Sequence, residues 1–302
     1  MVEHSELFND PQSKPPLDER LYSLAEDDLA FFKAQTGIED EVTLKEHIIS
    51  VQKKAYEVYG CPCIRGFEFT RSRISRIPAY SSVLQLSRER KGAILLEIAC
   101  CLGNDLRKAV TDGWPAQNII GTDLRQGFWG LGHELFRSSP ETFPATFIAG
   151  DVFDSAFISP RAPFYDDPEN HCPPLASLTS LTPIQGHISA IYATHFFHLF
   201  DFTKQLELAH RIASLLSPIP GSIAFGMHIG LPEKGWRYEV AANADKTPYK
   251  MFYHSPESWT EMWDGEVFKK GSVKVDAIIK KVELSELGSH EFFFLLWSIT
   301  RL

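Results

Sequence analysis

Apolar and polar positions divide the chain into a helical N-terminal part and an alternating part that follows it. Segments 17–37 and 40–60 place apolar residues at three- and four-residue spacing, and each ends on a glycine that suits a helix C-cap. Segment 61–92 ends in a short helical pattern and a Lys-Gly turn. The pattern therefore predicts an N-terminal helical segment over 17–90. Residues 1–16 are polar and contain three prolines, so we expect a flexible arm.

From residue 93 onward, short runs rich in β-forming residues alternate with helical stretches. This rhythm is typical of an α/β domain in which helices cover a mostly parallel sheet. The five runs cover 93–99, 118–123, 145–151, 187–193 and 222–229. The pattern assigns residues 91–302 to one α/β domain. Its Pro-rich connection, 159–186, is much longer than the usual loop between such elements, and we interpret it as a surface insertion or a lid.

The C-terminal part breaks the alternation and predicts two further strands. Charged and apolar residues interleave over 273–284, as on a strand near a sheet edge, whereas 290–300 is apolar on both faces, as in a strand inside a sheet. We therefore expect the last strand to enter the sheet beside an antiparallel partner. With the five earlier runs, these strands predict an α/β fold with a seven-stranded, mostly parallel sheet.

A tight turn of small residues follows the first run. The stretch EIACCLGNDL (97–106) begins with Glu97, holds a single glycine, Gly103, and leads into a helix. Ala99 and Cys101 are also small, so the backbone of this turn can come close to a ligand that lies over the end of the strand. Nucleotide-like cofactors bind at this position in parallel α/β sheets.

Two further acids end the second and third runs. Asp123 is placed where an acid can accept hydrogen bonds from both hydroxyls of a ribose, and Asp151 lies within reach of an adenine ring. Each acid alone could equally cap the helix that follows it, but the three acids together favour a cofactor site. A dinucleotide enzyme needs G-x-G-x-x-G for the pyrophosphate. The single glycine, together with Glu97, favours a cationic ligand over NAD.

This turn resembles the first motif of class I S-adenosylmethionine-dependent methyltransferases, E/D-x-G-x-G-x-G. Glu97, Ala99, Cys101 and Gly103 stand at the four defined positions, so two of the three glycines are replaced. The resemblance implies that the turn binds S-adenosylmethionine, a cationic cofactor.

The likeness extends over about 90–302. Asp123 in IIGTDL and Asp151 in AGDVFD resemble the family's ribose-side and adenine-side acids. The stretch GWPAQNIIGTDL is similar to the sequences of carboxyl O-methyltransferases of fungal meroterpenoid pathways. The resemblance implies a Rossmann-like sheet whose last strand is antiparallel. It implies the cofactor-binding residues Glu97, Ala99, Gly103, Asp123, Leu124, Asp151 and Val152.

Candidate catalytic and substrate-binding residues lie outside this motif. In THFFHLFDF, His195 lies nearest to the end of the fourth run and is the predicted catalytic residue, with His198 as a candidate for the substrate pocket. Each histidine could equally be a core or capping residue. Trp236 and Arg237 follow the fifth run and could line a substrate wall. A basic cluster could bind an acidic group, with Arg71 chosen for the substrate, although such residues are more often solvated. The cluster comprises Arg65, Arg71, Arg73 and Arg76.

Composition limits what the chain can bind. Of 302 residues, 44% are hydrophobic and 23% are charged, as in a soluble globular protein, and the formal charge of −9 disfavours nucleic acid as a partner. The five cysteines include no zinc-binding pattern, so we expect free thiols and no metal, with Cys100 and Cys101 as small core residues. The sequence has no signal peptide or membrane-span pattern, so we expect no membrane partner and a cytoplasmic location.

The predicted function is transfer of a methyl group from S-adenosylmethionine to an oxygen of a small-molecule natural-product intermediate, a carboxylate by the family likeness. A carboxylate is ionised at neutral pH, whereas a phenol profits from a base, so His195 either orients the acceptor or removes its proton. A phenol O-methyltransferase and a methyltransferase-like regulator are the alternatives. The apolar stripes of 17–60 need burial, which predicts that these helices cover the substrate pocket or form a subunit interface, and of the two we expect a homodimer.

Overall fold

Nine strands form two sheets in the part of the chain that the computed structural model describes, residues 14–240, 248–282 and 292–302. The strands are β1 Leu95–Ile98, β2 Ile119–Asp123, β3 Thr146–Ala149, β4 Ala190–Thr194, β5 Ile223–Ile229, β6 Gly235–Val240, β7 Pro248–Tyr253, β8 Val273–Val282 and β9 Phe292–Arg301. β6 and β7 form a hairpin, and the other strands form a seven-stranded sheet in the order β3-β2-β1-β4-β5-β9-β8. β1 to β5 are parallel, and β9 is antiparallel to both neighbours. The predicted fold class is confirmed.

The helices flank this sheet on both faces. They are α1 Glu26–Thr36, α2 Glu41–Val58, α3 Pro62–Arg65, α4 Tyr80–Glu89, α5 Asn104–Thr111, α6 Gln126–Leu135, α7 Phe202–Leu215 and α8 Pro256–Trp263. As predicted, α1 ends on a glycine in the left-handed conformation, Gly37 with φ +68°. The prediction for the second helix is wrong, because α2 ends at Val58 and is capped by extended Tyr59, ahead of Gly60.

Adjacent residues of the parallel strands face opposite layers of helices. Leu96 and Ile98 pack in the layer of α7 and α8, whereas Leu95 and Tyr192 pack in the layer of α4 and α5. Because both faces are covered, these strands read as continuous apolar runs. The strand order reverses between β1 and β4, and ligands bind at the carboxyl ends of strands at such a point.

The helices α1 to α3 form a cap that packs on α6. Phe32 of α1 stacks on Phe136 with ring centroids 5.1 Å apart, and the apolar side of α2 is buried in the same cluster. The apolar stripes are therefore buried within the chain, so they no longer give a reason to expect a subunit interface. The homodimer stays a prediction. Tyr56 Oη of α2 donates to the Pro15 carbonyl at 2.7 Å. Residues 1–13, most of the predicted flexible arm, lie outside the described residues.

The Pro-rich connection 159–186 packs at the amino ends of the strands. Gly186 N donates to the Ser214 carbonyl near the end of α7 at 2.9 Å. Arg301, which ends antiparallel β9 beside the start of β5, donates to the Phe164 carbonyl at 2.8 Å. Because the cofactor edge of the sheet lies at the other end of the strands, these contacts favour a surface insertion over a lid.

The structure also bears on membranes, thiols and metals. Of the helices within 14–240, 248–282 and 292–302, none has both the length and the apolar character that a membrane span requires. All five cysteines are free, as expected. In the same ranges, no three histidine, cysteine or carboxylate side chains are placed to hold a metal ion. The cytoplasmic location stays a prediction.

The segment between β5 and β8 contains elements that the sequence pattern did not predict. It forms the β6–β7 hairpin and then α8, which begins with a capping box in which Ser255 Oγ accepts from Ser258 N at 3.3 Å. Trp259 and Trp263 of α8 are fully buried against Trp297 of β9. Aromatic rings therefore fill the layer between this helix and the antiparallel end of the sheet.

His254 lies in this aromatic layer with 1% of its surface exposed. Its ring centroid is 5.1 Å from that of Phe252 and 5.3 Å from that of Trp259, and Nδ1 hydrogen-bonds with Ser258 Oγ at 2.9 Å. Burial, and secondarily the charge of Lys234, lowers the pKa of His254 to about 4. A histidine that folding keeps neutral contributes its full stability at pH values above the pKa of about 6.5 that it has in the unfolded chain. This contribution is lost as the pH falls toward the pKa that it has in the folded protein.

We predict that His254→Phe makes the protein less sensitive to acid. Between about pH 7.5 and about pH 5, the wild type should lose about 2 kcal/mol of unfolding free energy through this group, because the unfolded chain binds a proton that the folded chain excludes. Urea unfolding at both pH values measures this loss, which should be about 2 kcal/mol smaller in the variant. His210→Phe on α7 controls for removal of a histidine. Equal losses in the wild type and His254→Phe would contradict the prediction.

Candidate active site

The turn between β1 and α5 follows a backbone path that glycine adopts most easily. Ala99, Cys101 and Gly103 have φ angles of +58°, +51° and +71°, so all three lie in the left-handed region. This conformation costs a residue with a side chain about 1–2 kcal/mol. A Cβ on Gly103 would lie 2.8 Å from the Trp129 ring, so glycine is required there. Ala99 and Cys101 therefore keep the left-handed backbone that glycine would adopt at these positions, and their side chains make that backbone strained.

Asp123 joins the loops that follow the first three strands. Its Oδ2 accepts a hydrogen bond from Cys101 N at 3.0 Å, and its Oδ1 accepts one from Arg125 N at 2.9 Å. Its carbonyl accepts from Gly150 N, after β3, at 3.0 Å. Each carboxylate oxygen can accept a second hydrogen bond, so Asp123 can hold the turn and ribose hydroxyls together.

The loops after β2 and β3 carry the predicted adenine-side residues. Leu124 is 56% exposed, Val152 is buried, and Asp151 is exposed with its Oδ1 accepting from Phe153 N at 2.9 Å. An open leucine surface beside exposed polar groups suits a flat base with a polar edge. These residues fit the adenosine part of the cofactor.

Three carboxyl groups lie close together at this edge of the sheet. Burial, then the charges of Asp105 and Asp123, raises the pKa of Glu97 well above its usual range. Burial likewise raises the pKa of Asp105 and of Asp123. A ligand that brings positive charge would relieve this repulsion, so the site favours a cation.

Buried polar atoms without partners test whether the cofactor fits. Glu97 Oε2 and both polar atoms of the Asn104 side chain are buried and have no hydrogen-bond partner among the described residues. Each unsatisfied group costs about 1–3 kcal/mol. S-adenosylmethionine carries positive charges that suit Glu97 and a carboxylate that suits the Asn104 amide at the start of α5. The residues present therefore fit this cofactor.

His195 directly follows β4 and has an unusual backbone conformation. Its φ is +49°, and its N–H donates to the Met227 carbonyl at 2.8 Å. Its ring centroid lies 5.3 Å from that of Phe294 and 6.0 Å from that of His198. Nε2 is buried with no hydrogen-bond partner in the described part of the chain. Burial, then the charges of Arg73 and His198, lowers the pKa of His195 well below its usual range, so the imidazole is neutral.

The four arginines of the basic cluster lie in different environments. Arg73 is the arginine whose charge lowers the pKa of His195, its side chain is 15% exposed, and it forms an ion pair with Glu68. Arg71, the predicted substrate residue, pairs with the same Glu68 at 3.3 Å but is 40% exposed. Arg76 bonds to Asp28 of α1, and Arg65 donates to the Pro16 carbonyl ahead of the cap. Arg73 is therefore better placed than Arg71 to act on the acceptor.

The other substrate candidates lie on the β6–β7 hairpin and in the segment that follows β4. Trp236 on β6 is 47% exposed, and the Arg237 guanidinium lies 5.9 Å from the ring centroid of Phe292 at the start of β9. Phe292 shares a sheet face with Phe294, which contacts the His195 ring. His198 is 8% exposed, and its ring contacts the His195 ring. The substrate roles of these residues stay predictions.

Asp105 and Tyr192 were not among the predicted site residues, but they lie beside them in the structure. Asp105 Oδ1 accepts from Arg73 N at 2.8 Å and from Ile74 N at 2.9 Å, and its Oδ2 accepts from Tyr192 Oη at 3.1 Å. Asp105 thereby connects the segment after the cap to α5 and β4. In the sequence it resembles an ordinary acid in the first turn of a helix, and Tyr192 resembles a core residue of a strand.

Known proteins similar to this chain are methyltransferases. A family model described as meroterpenoid methyltransferase N-terminal domain matches residues 17–70. O-methyltransferase phiE of Fungal sp. (strain ATCC 74256) is 34% identical over 82% of this chain and 71% of phiE. Asnovolin E/Chermesin D methyltransferase nvfJ of Aspergillus novofumigatus (strain IBT 16806) is 29% identical over 72% of this chain and 68% of nvfJ. Among solved structures, 1,6-didemethyltoxoflavin-N1-methyltransferase of Burkholderia thailandensis aligns over 97% of both chains with 15% identity and a TM-score of 0.47.

The sheet order, the left-handed turn after β1 and the acids that end β1 and β2 define a class I S-adenosylmethionine-dependent methyltransferase. The likeness to phiE covers most of both chains, and the chain belongs to the O-methyltransferases of fungal secondary metabolism. Its cofactor is S-adenosylmethionine. The predicted membership of the class I S-adenosylmethionine-dependent methyltransferases of fungal secondary metabolism is thus confirmed.

We predict that Glu97 loses a proton when the cofactor binds. The pKa of Glu97 is raised in the free protein and should fall when a positive charge lies beside it, so the affinity should increase as the pH rises above the usual carboxyl pKa. Titration calorimetry with S-adenosylhomocysteine, which keeps the ammonium group, measures the affinity and the proton release. Glu97→Gln should bind about 10- to 100-fold more weakly at neutral pH, with a flatter pH dependence.

Asp151→Asn is the matched control, because Asp151 is an exposed acid of the same edge and its loss should leave the pH dependence in place. A wild-type affinity that does not change with pH would contradict the role given to Glu97.

Proposed function

We propose that this protein transfers the methyl group to the carboxylate of a small natural-product acid and forms a methyl ester. The proposal rests on His195, whose Nε2 is buried without a hydrogen-bond partner among the described residues and whose pKa is lowered by burial and then by the charge of Arg73. A general base must become positively charged when it takes a proton, and burial and Arg73 both oppose that charge. The same arrangement favours an acceptor that is already an anion.

One group of side chains would bind the cofactor, and another would bind the acceptor. S-adenosylmethionine supplies a methyl group that needs no further activation, so the protein contributes position and a dry site. Glu97, Asn104 and Asp123 would hold the cofactor. His195 would orient the acceptor, and Arg73 would supply the counter-charge of its carboxylate. In the present structure Glu68 pairs with Arg73, which supports the ability of this arginine to bind a carboxylate.

The names of related proteins support the substrate class. The relative nvfJ is named for asnovolin E and chermesin D, and the matching family model is described as a domain of meroterpenoid methyltransferases. A terpenoid-derived acid also agrees with the aromatic residues near His195, since Phe294 contacts its ring and Phe292 lies on the same face. We therefore infer a mostly apolar acid as the acceptor.

Acceptor pairs test this proposal directly. The protein is incubated with methyl-labelled S-adenosylmethionine and with carboxylic acids and phenols that share a terpenoid or aromatic skeleton. We expect label in the acids only, in products that release labelled methanol in mild alkali, as esters do. His195→Ala should lower the rate through lost positioning, without recovery between about pH 6 and about pH 9, because the nucleophile is ionised throughout.

Each other outcome identifies an alternative. Label in an alkali-stable ether, or a His195→Ala rate that recovers at high pH from a loss of roughly 10²–10⁴-fold, would replace the carboxylate with a phenol. Tight binding of S-adenosylhomocysteine without transfer to any acceptor would favour a methyltransferase-like regulator.

A pair of arginine variants tests the counter-charge. Arg73→Met should raise the KM of the acid by about 10-fold or more, because it removes a hydrogen-bonded charge from the acceptor carboxylate. Arg71→Met is the matched control, since Arg71 shares Glu68 as a partner but is more exposed. The Kd of S-adenosylhomocysteine should stay unchanged in both variants. An equal effect of the two variants on KM would contradict the role of Arg73.

A further inference from the structure

Arg107 on α5 is a buried cation with 2% of its surface exposed. Within the described residues its guanidinium pairs with no carboxylate, and it lies over the rings of Phe143 and Phe136, 4.3 Å and 4.6 Å from their centroids. Burial lowers the pKa of Arg107 to about 9, so the side chain keeps its charge at neutral pH. Burying a charge without an opposite charge is costly, and an apolar side chain of similar length would avoid that cost.

The hydrogen bonds of this guanidinium go to the cofactor turn. Arg107 Nη1 donates to the Leu102 carbonyl at 3.0 Å and to the Gly103 carbonyl at 3.1 Å, and Nη2 donates to Ser138 Oγ at 3.3 Å. A Cβ on Gly103 would lie 2.8 Å from Nη1. The guanidinium therefore packs directly against the backbone of the turn and fixes two of its carbonyl groups.

This turn has a particular need for such contacts. Ala99 and Cys101 adopt left-handed φ angles of +58° and +51° in place of the motif's glycines. Residues with a Cβ resist this conformation, which persists only where the surroundings impose it. Asp123 holds one N–H group of the turn, that of Cys101. Arg107 holds the carbonyl groups that follow it.

We propose that Arg107 is a positioning residue for the cofactor, which keeps the turn between β1 and α5 in its left-handed path. Its bonds to Leu102 and Gly103 stabilise the left-handed conformation that glycine residues would adopt without strain. The bound cofactor contacts the turn, and Arg107 acts through it. The proposal depends only on the cofactor, so it can fail or hold whatever the acceptor is.

The test measures the Kd of S-adenosylhomocysteine by calorimetry for the full chain. Arg107→Met keeps an unbranched side chain and removes both carbonyl bonds, and it should raise the Kd by about 10-fold or more. Arg107→Lys keeps the charge and one donor and should give a smaller increase. In a Cys101→Gly background, where glycine adopts the left-handed conformation without strain, Arg107→Met should raise the Kd at least about threefold less than in the wild type.

Arg211→Met is the matched control. Arg211 is a buried arginine of α7 that also donates to a backbone carbonyl, that of Ile158, but it lies in the other helix layer. Its loss should lower the melting temperature and leave the Kd unchanged. An unchanged Kd in folded Arg107→Met, or an equal increase in both Cys101 backgrounds, would overturn the proposal. If Arg107→Met does not fold, the same comparison with Arg107→Lys decides between the outcomes.

Discussion

The close approach of Glu97, Asp105 and Asp123 at the ends of β1 and β2 is the constraint on which the rest of the site depends. These groups share a region of low dielectric constant, where each disfavours ionisation of the others. Backbone N–H groups donate hydrogen bonds to Asp105 and Asp123, and the Tyr192 hydroxyl donates one to Asp105. Burial keeps the pKa of both carboxyl groups raised, although the charge of Arg73 lowers the pKa of Asp105 and that of Arg125 lowers the pKa of Asp123. A positively charged ligand would relieve the repulsion further, which supports a cationic cofactor.

Strained backbone marks the two neighbouring strands that build the site. Ala99 and Cys101 after β1 and His195 after β4 all have positive φ, and Cys101 and His195 are each fixed by a partner from another element. Cys101 N bonds to Asp123, and His195 N bonds to the Met227 carbonyl of β5. Such conformations persist only where the surroundings over-determine them. The parallel sheet therefore does more than place these residues at one edge, because its neighbouring strands also supply the hydrogen bonds that hold them.

The sheet and the main acids could be predicted because their signals are local. Buried parallel strands appear as apolar runs, and an acid at the end of a run keeps that place in the fold. The β6–β7 hairpin and α8 lie where dense aromatic residues obscure any period. Asp105 and Arg107 could not be identified, and Arg73 could not be distinguished from the other arginines of the basic cluster, because their roles depend on contacts between distant elements. In the sequence they are ordinary charged residues, and only the packing of α5 against the segment after the cap and against the residues that follow α6 fixes their partners.

The two sides of the site differ in charge, and this difference supports a carboxylate acceptor. Acids gather at β1 and β2, where the cofactor binds, whereas Arg73 and a neutral His195 lie toward β4. Methyl transfer from a sulfonium to a carboxylate removes one positive and one negative charge, and a buried site with few polar partners favours the loss of opposite charges. Transfer to a neutral hydroxyl would require a proton to be taken up within the same buried space. Because burial and Arg73 keep His195 neutral, the protein opposes that step, and the electrostatics favour the reaction in which no proton moves.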